Sequence, residues 1–290
     1  MAIWNLGSIN ADMVYALPHL PVAGETLAAT GLDQFLGGKG ANMSVAAARA
    51  GSVVHHIGAI GPEGDWAVAR LMEYGVDTRH IATLDLPTGH AIIAVDQAGE
   101  NQIILFPGAN RAISTDQVGQ ALSMAHAGDI LVLQNETNMQ VETAKMAQAL
   151  GLKVAYAAAP FEAEAVRLIL PYLDLLFLNE VEAEQLQQEI GKSADALGVA
   201  DVIVTLGAKG ARHYSSTSNE VSEVAALPVT PVDTTGAGDT FTGYVLSGLD
   251  RGLPMPQAMG LAARAAALMV TRHGTADVIP DLKEVQNAQF

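Results

Sequence analysis

A chain of 290 residues, half of them hydrophobic, 16% charged and 5% aromatic, is long enough for one large α/β domain or two ordinary ones, and its composition is neither disordered nor fibrous. A net charge of −16 excludes a nucleic-acid surface, which must neutralise phosphates with Lys and Arg. The chain has no cysteine, which excludes disulfides, thiolate catalysis and Cys-based metal sites.

Residues 2–7 form the first apolar run of strand length, so no basic-plus-apolar signal segment opens the chain. Asn10 and Asp12 follow it, where an α/β sheet presents ligand groups, although both are equally ordinary turn formers. Residues 12–35 break the pattern, with scattered apolar positions around Pro18, Pro21 and Gly24. A glycine-rich turn, Gly37-Gly38-Lys39-Gly40-Ala41-Asn42, then enters an alanine-rich helix that stops at Gly51. This is not a Walker A loop, because Asp33 stands where its first glycine belongs and Gly40 where Ser or Thr must follow the lysine. The turn lets a small polar ligand approach the backbone, with Asn42 offering an amide; a plain strand–turn–helix junction is the other reading.

Further runs at 52–60, 129–133, 152–157, 173–178 and 202–205 suit parallel strands buried on both faces. Residues 90–96 and 101–106 read as two short strands joined by a polar turn. Together with 12–35 they make a small antiparallel β lid from inserts at about 12–35 and 88–107, or else two surface loops with local hairpins. Helices are expected over 116–125, after a Ser114–Thr115 cap, and over 141–150, ending at Gly151. Glu136 follows one strand, and Asn179 and Glu182 follow another, where they would hold a hydrated Mg²⁺ or merely cap an acidic helix start. The alternation of strand and helix implies a doubly wound, mainly parallel sheet flanked by helices. No repeat or linker divides the chain, so residues 1–290 read as a single domain. The apolar stretch 261–270 contains Arg264 and is too short to cross a bilayer, so a cytoplasmic protein without membrane contact is expected.

The most informative stretch is Asp233-Thr234-Thr235-Gly236-Ala237-Gly238-Asp239-Thr240-Phe241. Its two glycines permit a tight turn whose successive N–H groups, at a helix start, suit an anion. Asp239 beside such a site makes sense as a base that receives a hydroxyl proton while the amides stabilise a transferring phosphoryl group. Plain helix capping is the alternative use of Asp239.

Residues 37–51 (GGKGANMSVAAARAG) and 233–243 (DTTGAGDTFTG) resemble the two signature motifs of the PfkB carbohydrate-kinase family. Residues 179–182 (NEVE) match its N-x-x-E motif, in the right order along essentially the whole chain. Residues 7–12, 21–25 and 107–110 are most similar to the ribokinase subgroup. The resemblance implies a ribokinase-like fold and an ATP- and Mg²⁺-dependent transfer to a primary hydroxyl of a small neutral sugar, D-ribose first. Another sugar, a sugar acid or a nucleoside is the alternative acceptor, and a sugar-binding protein without turnover is a more distant one. The resemblance assigns Asn10, Asp12, Gly38, Lys39, Asn42 and Glu136 to the sugar pocket, Asp239 to the base, and Gly236, Ala237 and Gly238 to the anion hole. It assigns Asn179 and Glu182 to Mg²⁺ and phosphate, and Thr205, Gly207 and the loop near Gly274 to the nucleotide. Asp233 and Thr235 would hold a monovalent cation such as K⁺, and the lid would pair two subunits into a homodimer. Three positions depart from the pattern: Ala157-Ala158-Ala159-Pro160 replaces Asn-Pro-Ala-Pro, Ala263 replaces an adenine-side Asn or His, and Val278 stands where Ser is common.

Overall fold

The computed structural model describes residues 1–290. In chain order the elements are β1 (Ile3–Leu6), β2 (Asn10–Ala16), β3 (Gly31–Gly37), α1 (Lys39–Arg49), β4 (Val54–Ile60), α2 (Asp65–Glu73), β5 (Asp77–Thr83), β6 (Gly89–Val95) and β7 (Asn101–Phe106). They continue as α3 (Thr115–Leu122), β8 (Ile130–Gln134), α4 (Gln140–Ala149), β9 (Lys153–Ala157), α5 (Ala163–Ile169), β10 (Leu175–Asn179) and α6 (Glu180–Ile190). The last part holds β11 (Asp201–Thr205), β12 (Ala211–Ser215), β13 (Glu220–Val224), α7 (Ala237–Asp250), α8 (Met255–Met269) and α9 (Leu282–Asn287).

Nine strands form one sheet in the order β13-β12-β11-β10-β9-β8-β1-β4-β5. From β11 to β5 every pairing is parallel, and β12 and β13 add an antiparallel hairpin at one edge. The six apolar runs all become strands of this sheet, and their continuous hydrophobicity follows from burial on both faces. In β1, Ile3 joins a core of 33 buried residues on the side of α1, α7 and α8, while Trp4 and Leu6 join one of 27 on the side of α3–α6, so neither face is left open. Strands β5 and β13 at the sheet edges, and β12 beside β13, are rich in polar residues, which is why periodicity does not mark them.

The lid is a second sheet of four strands in the order β3-β2-β6-β7. Its outer pairs are antiparallel, and the central pair β2–β6 runs parallel, because the two segments leave the body side by side and point the same way.

Backbone contact positions α1 and α7. A Cβ on Gly40 would stand 2.3 Å from Gly7 Cα, so α1 starts directly against the end of β1. A Cβ on Gly243 would stand 2.5 Å from Ala46 Cβ and 2.7 Å from the Met43 carbonyl, so α7 crosses α1 without a side chain between them. Overpacking of this kind costs about 1–3 kcal/mol. Gly243→Val is therefore expected to lower the unfolding free energy from urea titration by about that amount, whereas Gly260→Ala, inside α8 with nothing within 4 Å of its Cβ, does not lower it.

Candidate active site

Four chain segments cross between body and lid near the end of β1; Asn10, Asp12, Gly38 and Lys39 lie on or beside them, Asn42 in the first turn of α1, and Glu136 after β8. Asn10 and Asp12 point the same way from β2, two residues apart on a strand. A Cβ on Gly37 would stand 2.0 Å from Asp12 Oδ2, so only glycine lets that carboxylate lie against β3. Gly38 adopts φ +93°, with its backbone against Ser8 and Asn10, and turns the chain into α1. Glu136, just after β8, accepts from the Lys39 backbone N–H at 3.0 Å and from the Ser8 hydroxyl. Ser8 Oγ in turn accepts from Gly40 N–H at 3.1 Å.

The two glycine-rich turns meet across the helix crossing. Asn42 Nδ2 donates to Asp239 Oδ2 at 2.9 Å, joining the first turns of α1 and α7. Asp239 is buried, so this bond aims the carboxylate inward from α7. It does not cap α7; Gly236, with φ +76°, holds the N-cap position instead. Gly238 is exposed, and a Cβ there would meet nothing within 4 Å, which leaves that turn open to an anion, although the Ala237 N–H donates to the Thr234 carbonyl at 3.2 Å.

On the far side of that helix start lies a cleft of about 540 Å³. Thr205, Gly207, Ala237, Gly238 and Ala263 line it, with an apolar wall from Leu227, Val229 and Val270. An apolar slot that ends at helix amides suits a planar base attached to phosphates. The wall before the second glycine-rich turn went unrecognised in the sequence because residues 226–231 lie outside any regular element. Gly274 lies outside the cleft wall, where its N–H reaches Asp233 Oδ2 at 3.3 Å. Asp233 Oδ1 accepts from Thr235 N–H at 2.9 Å.

Asn179 and Glu182 form a reciprocal capping box at the start of α6, each side chain bonded to the other's backbone N–H at 2.8 Å. The box uses Glu182 Oε2 and Asn179 Oδ1, and leaves Glu182 Oε1 outside it. Burial raises the Glu182 carboxyl, and the Asp239 charge adds to that, which places Glu182 electrostatically with the site. Capping and site membership therefore coexist at this position.

Charge binds these groups into one unit. The Asp239 carboxylate raises the Lys39 ammonium against the opposing effect of burial, with Glu136 and Glu182 adding to it. Burial pushes Asp12 up from 3.8 to about 7, and the nearby Glu136 and Asp239 charges contribute. Folded protein thus binds a proton that the unfolded chain has released between about pH 4 and 7, so Asp12 stabilises the ligand-free fold at the acid end and that contribution is lost as pH rises through about 7. Ligand-free Asp12→Asn should melt roughly 2–4 °C above the parent protein at pH 8 and within error of it at pH 4, by calorimetry.

The profile of the pfkB family carbohydrate kinases matches residues 3–282. A ribokinase of Haemophilus influenzae is 36% identical over 294 residues, covering 96% of this chain and 95% of that one. The ribokinase of Thermotoga maritima superposes with a TM-score of 0.88 at 33% identity over 99% of this chain and 98% of its own. An Arabidopsis thaliana ribokinase solved with ribose and ATP superposes with a TM-score of 0.86 at 29% identity, covering 99% of this chain and 98% of its own. With the family profile matching residues 3–282 and the fold and nearly its full length in common with these proteins, the chain belongs to the pfkB family of carbohydrate kinases.

Proposed function

We propose that this kinase transfers the γ-phosphoryl group of ATP to a primary hydroxyl of a small neutral sugar, with D-ribose the first choice and ribose 5-phosphate the product. The observation that carries this reading is the first turn of α7. On one side it ends the apolar cleft at Gly238, and on the other it holds the buried Asp239 carboxylate against Asn42. ATP laid in the cleft brings its terminal phosphate to the amides of Gly236, Ala237 and Gly238, and a hydroxyl held beside Asp239 then faces that phosphorus. As the hydroxyl oxygen bonds to the γ-phosphorus and the bond to the β–γ bridging oxygen breaks, Asp239 accepts the hydroxyl proton. Positioning and amide stabilisation of the equatorial oxygens carry most of the rate.

Three carboxylates and two amides line the acceptor side, with Lys39 as its cation. This lining supports a polyol acceptor over a sugar phosphate, which calls for more Arg or Lys. Lys39, whose ammonium feels the Asp239, Glu136 and Glu182 charges, would reach the transferring phosphoryl oxygens. For Mg²⁺, the Glu182 carboxylate with its free Oε1 beside Asn179 fits a hydrated ion, which supplies charge neutralisation on the nucleotide phosphates. A monovalent cation fits less well, because both Asp233 oxygens already accept backbone N–H bonds and Val278 brings an isopropyl group to Gly274. No step is routed through it.

We read residues 1–290 as one ribokinase-like unit whose lid closes over the sugar pocket and pairs with a second copy. The exposed side chains of β7 support that pairing: Ile103 is 60% exposed, Ile104 67% and Phe106 46%. No helix is long and apolar enough to cross a membrane, and the net charge of −16 supports a cytoplasmic enzyme that avoids nucleic acid.

Two experiments test the reading. Asp239→Asn should lower turnover by roughly 10²–10⁴-fold with its melting temperature retained; near-parental turnover would remove the base. In a coupled ADP-release assay across ribose, 2-deoxyribose, hexoses, sugar acids and nucleosides, ribose should give the highest kcat/KM, and a different winner would reassign the acceptor.

A further inference from the structure

Asn110 lies in the short turn Gly108–Arg111 after the lid, and it is only 1% exposed. Its Oδ1 accepts from Ile9 N–H at 2.9 Å, and its Nδ2 donates to the Ile9 carbonyl at 3.2 Å and to Asn10 Oδ1 at 2.8 Å. Since Ile9 N–H can only donate and its carbonyl only accept, the Asn110 amide has a single allowed orientation. That orientation propagates. Asn10 Oδ1 is taken up by Asn110, so Asn10 must turn its NH₂ the other way. Asn10 is itself buried, and its Nδ2 has no acceptor within the protein. Only glycine fits beside this amide pair, since a Cβ on Gly89 would stand 2.1 Å from Asn110 Nδ2 and 2.4 Å from Asn10 Oδ1.

We infer that Asn110 is a positioning residue that fixes the hydrogen-bond polarity of the sugar pocket: by consuming Asn10 Oδ1 it makes Asn10 a donor to the ligand. Beside Asp12, whose ionised carboxylate only accepts, the pocket then offers a donor and an acceptor two residues apart along β2. This pairing fits adjacent hydroxyls of a polyol, one accepting from Asn10 and one donating to Asp12. A ligand carrying only donors at the Asn10 side, or lacking the oxygen there, leaves a buried NH₂ without a partner.

This inference rests on the sugar-kinase reading, and the experiment separates the two. Steady-state constants for the preferred sugar and for ATP are measured in Asn110→Asp, Asn10→Ala and the double variant. Asn110→Asp removes the donor to Asn10 at constant shape. It should raise the sugar KM roughly 10–100-fold while the ATP KM stays within about twofold. In the Asn10→Ala background the same substitution should change the sugar KM by less than about twofold, because the group it acts through is gone. A purely structural role would give equal effects in both backgrounds and would disturb ATP as well, and that outcome overturns the inference. Asn10→Asp provides an independent arm that keeps the bond from Asn110 and replaces only the ligand-facing donor by an acceptor. It should raise the sugar KM at least about 10-fold while the ATP KM stays within about twofold, and parental behaviour of this variant also overturns the inference. If the parental enzyme phosphorylates no sugar, the functional reading falls; if it does and these variants match it, only the role of Asn110 falls.

Discussion

Backbone touches backbone where α1 meets the end of β1, and the rest of the site depends on that contact. Gly7 and Gly40 have no side chains to hold the two elements apart, and Gly243 repeats the device where α7 crosses α1. The consequence is geometric. Asn42 comes from one helix and Asp239 from the other, nearly 200 positions later, yet they meet at 2.9 Å because the helix axes approach so closely. A methyl group at either crossing would separate the two glycine-rich turns by more than a hydrogen bond can span.

Beneath this crossing runs a buried polar chain that would be a liability if it were loosely assembled. Gln134 Nε2 donates to Asn5 Oδ1 at 2.7 Å, and Asn5 Nδ2 donates to Ser44 Oγ at 2.8 Å and to the Gly40 carbonyl at 2.7 Å. The Gly7 carbonyl can only accept, so His56 Nε2 donates to it at 3.0 Å, and His56 Nδ1 then accepts from Ser44 at 2.8 Å. The ring must be neutral for this direction to hold, and burial pushes His56 down to about 4. The chain ties β1, β4, β8 and α1 together under the sugar pocket and gives α1 a single seating. Each donor named in this chain has its acceptor, and Gln134 Oε1 is the one buried atom of it left without a partner.

The parts of the molecule visible in its sequence were those with local physics. Buried parallel strands announce themselves as apolar runs, and helix ends as glycines such as Gly51 and Gly151. The two glycine-rich turns were visible for the same reason. Hidden residues were those whose meaning depends on a distant partner. Ser8 and Asn110 look like ordinary loop residues until the fold sets one against Glu136 and Gly40 and the other against Ile9 and Asn10. Asn179 and Glu182 admitted two readings, and the capping box shows that a local cap and an electrostatic link to Lys39 occupy the same carboxylate without conflict. The edge hairpin of β12 and β13 was missed because an edge needs charge and brevity more than hydrophobicity.

Asp12, Glu136 and Asp239 set three carboxylates in one partly buried pocket, where burial, helped by the other two charges, pushes Asp12 up to about 7. A neutral polyol enters without electrostatic penalty and finds these acceptors beside the donors of Asn10 and Lys39. Once it carries a phosphate dianion, the same walls repel it, and the repulsion is strongest where water has been excluded. The carboxylates that welcomed the sugar thus oppose its phosphoester, and Lys39 with the helix amides is what holds the phosphate against them.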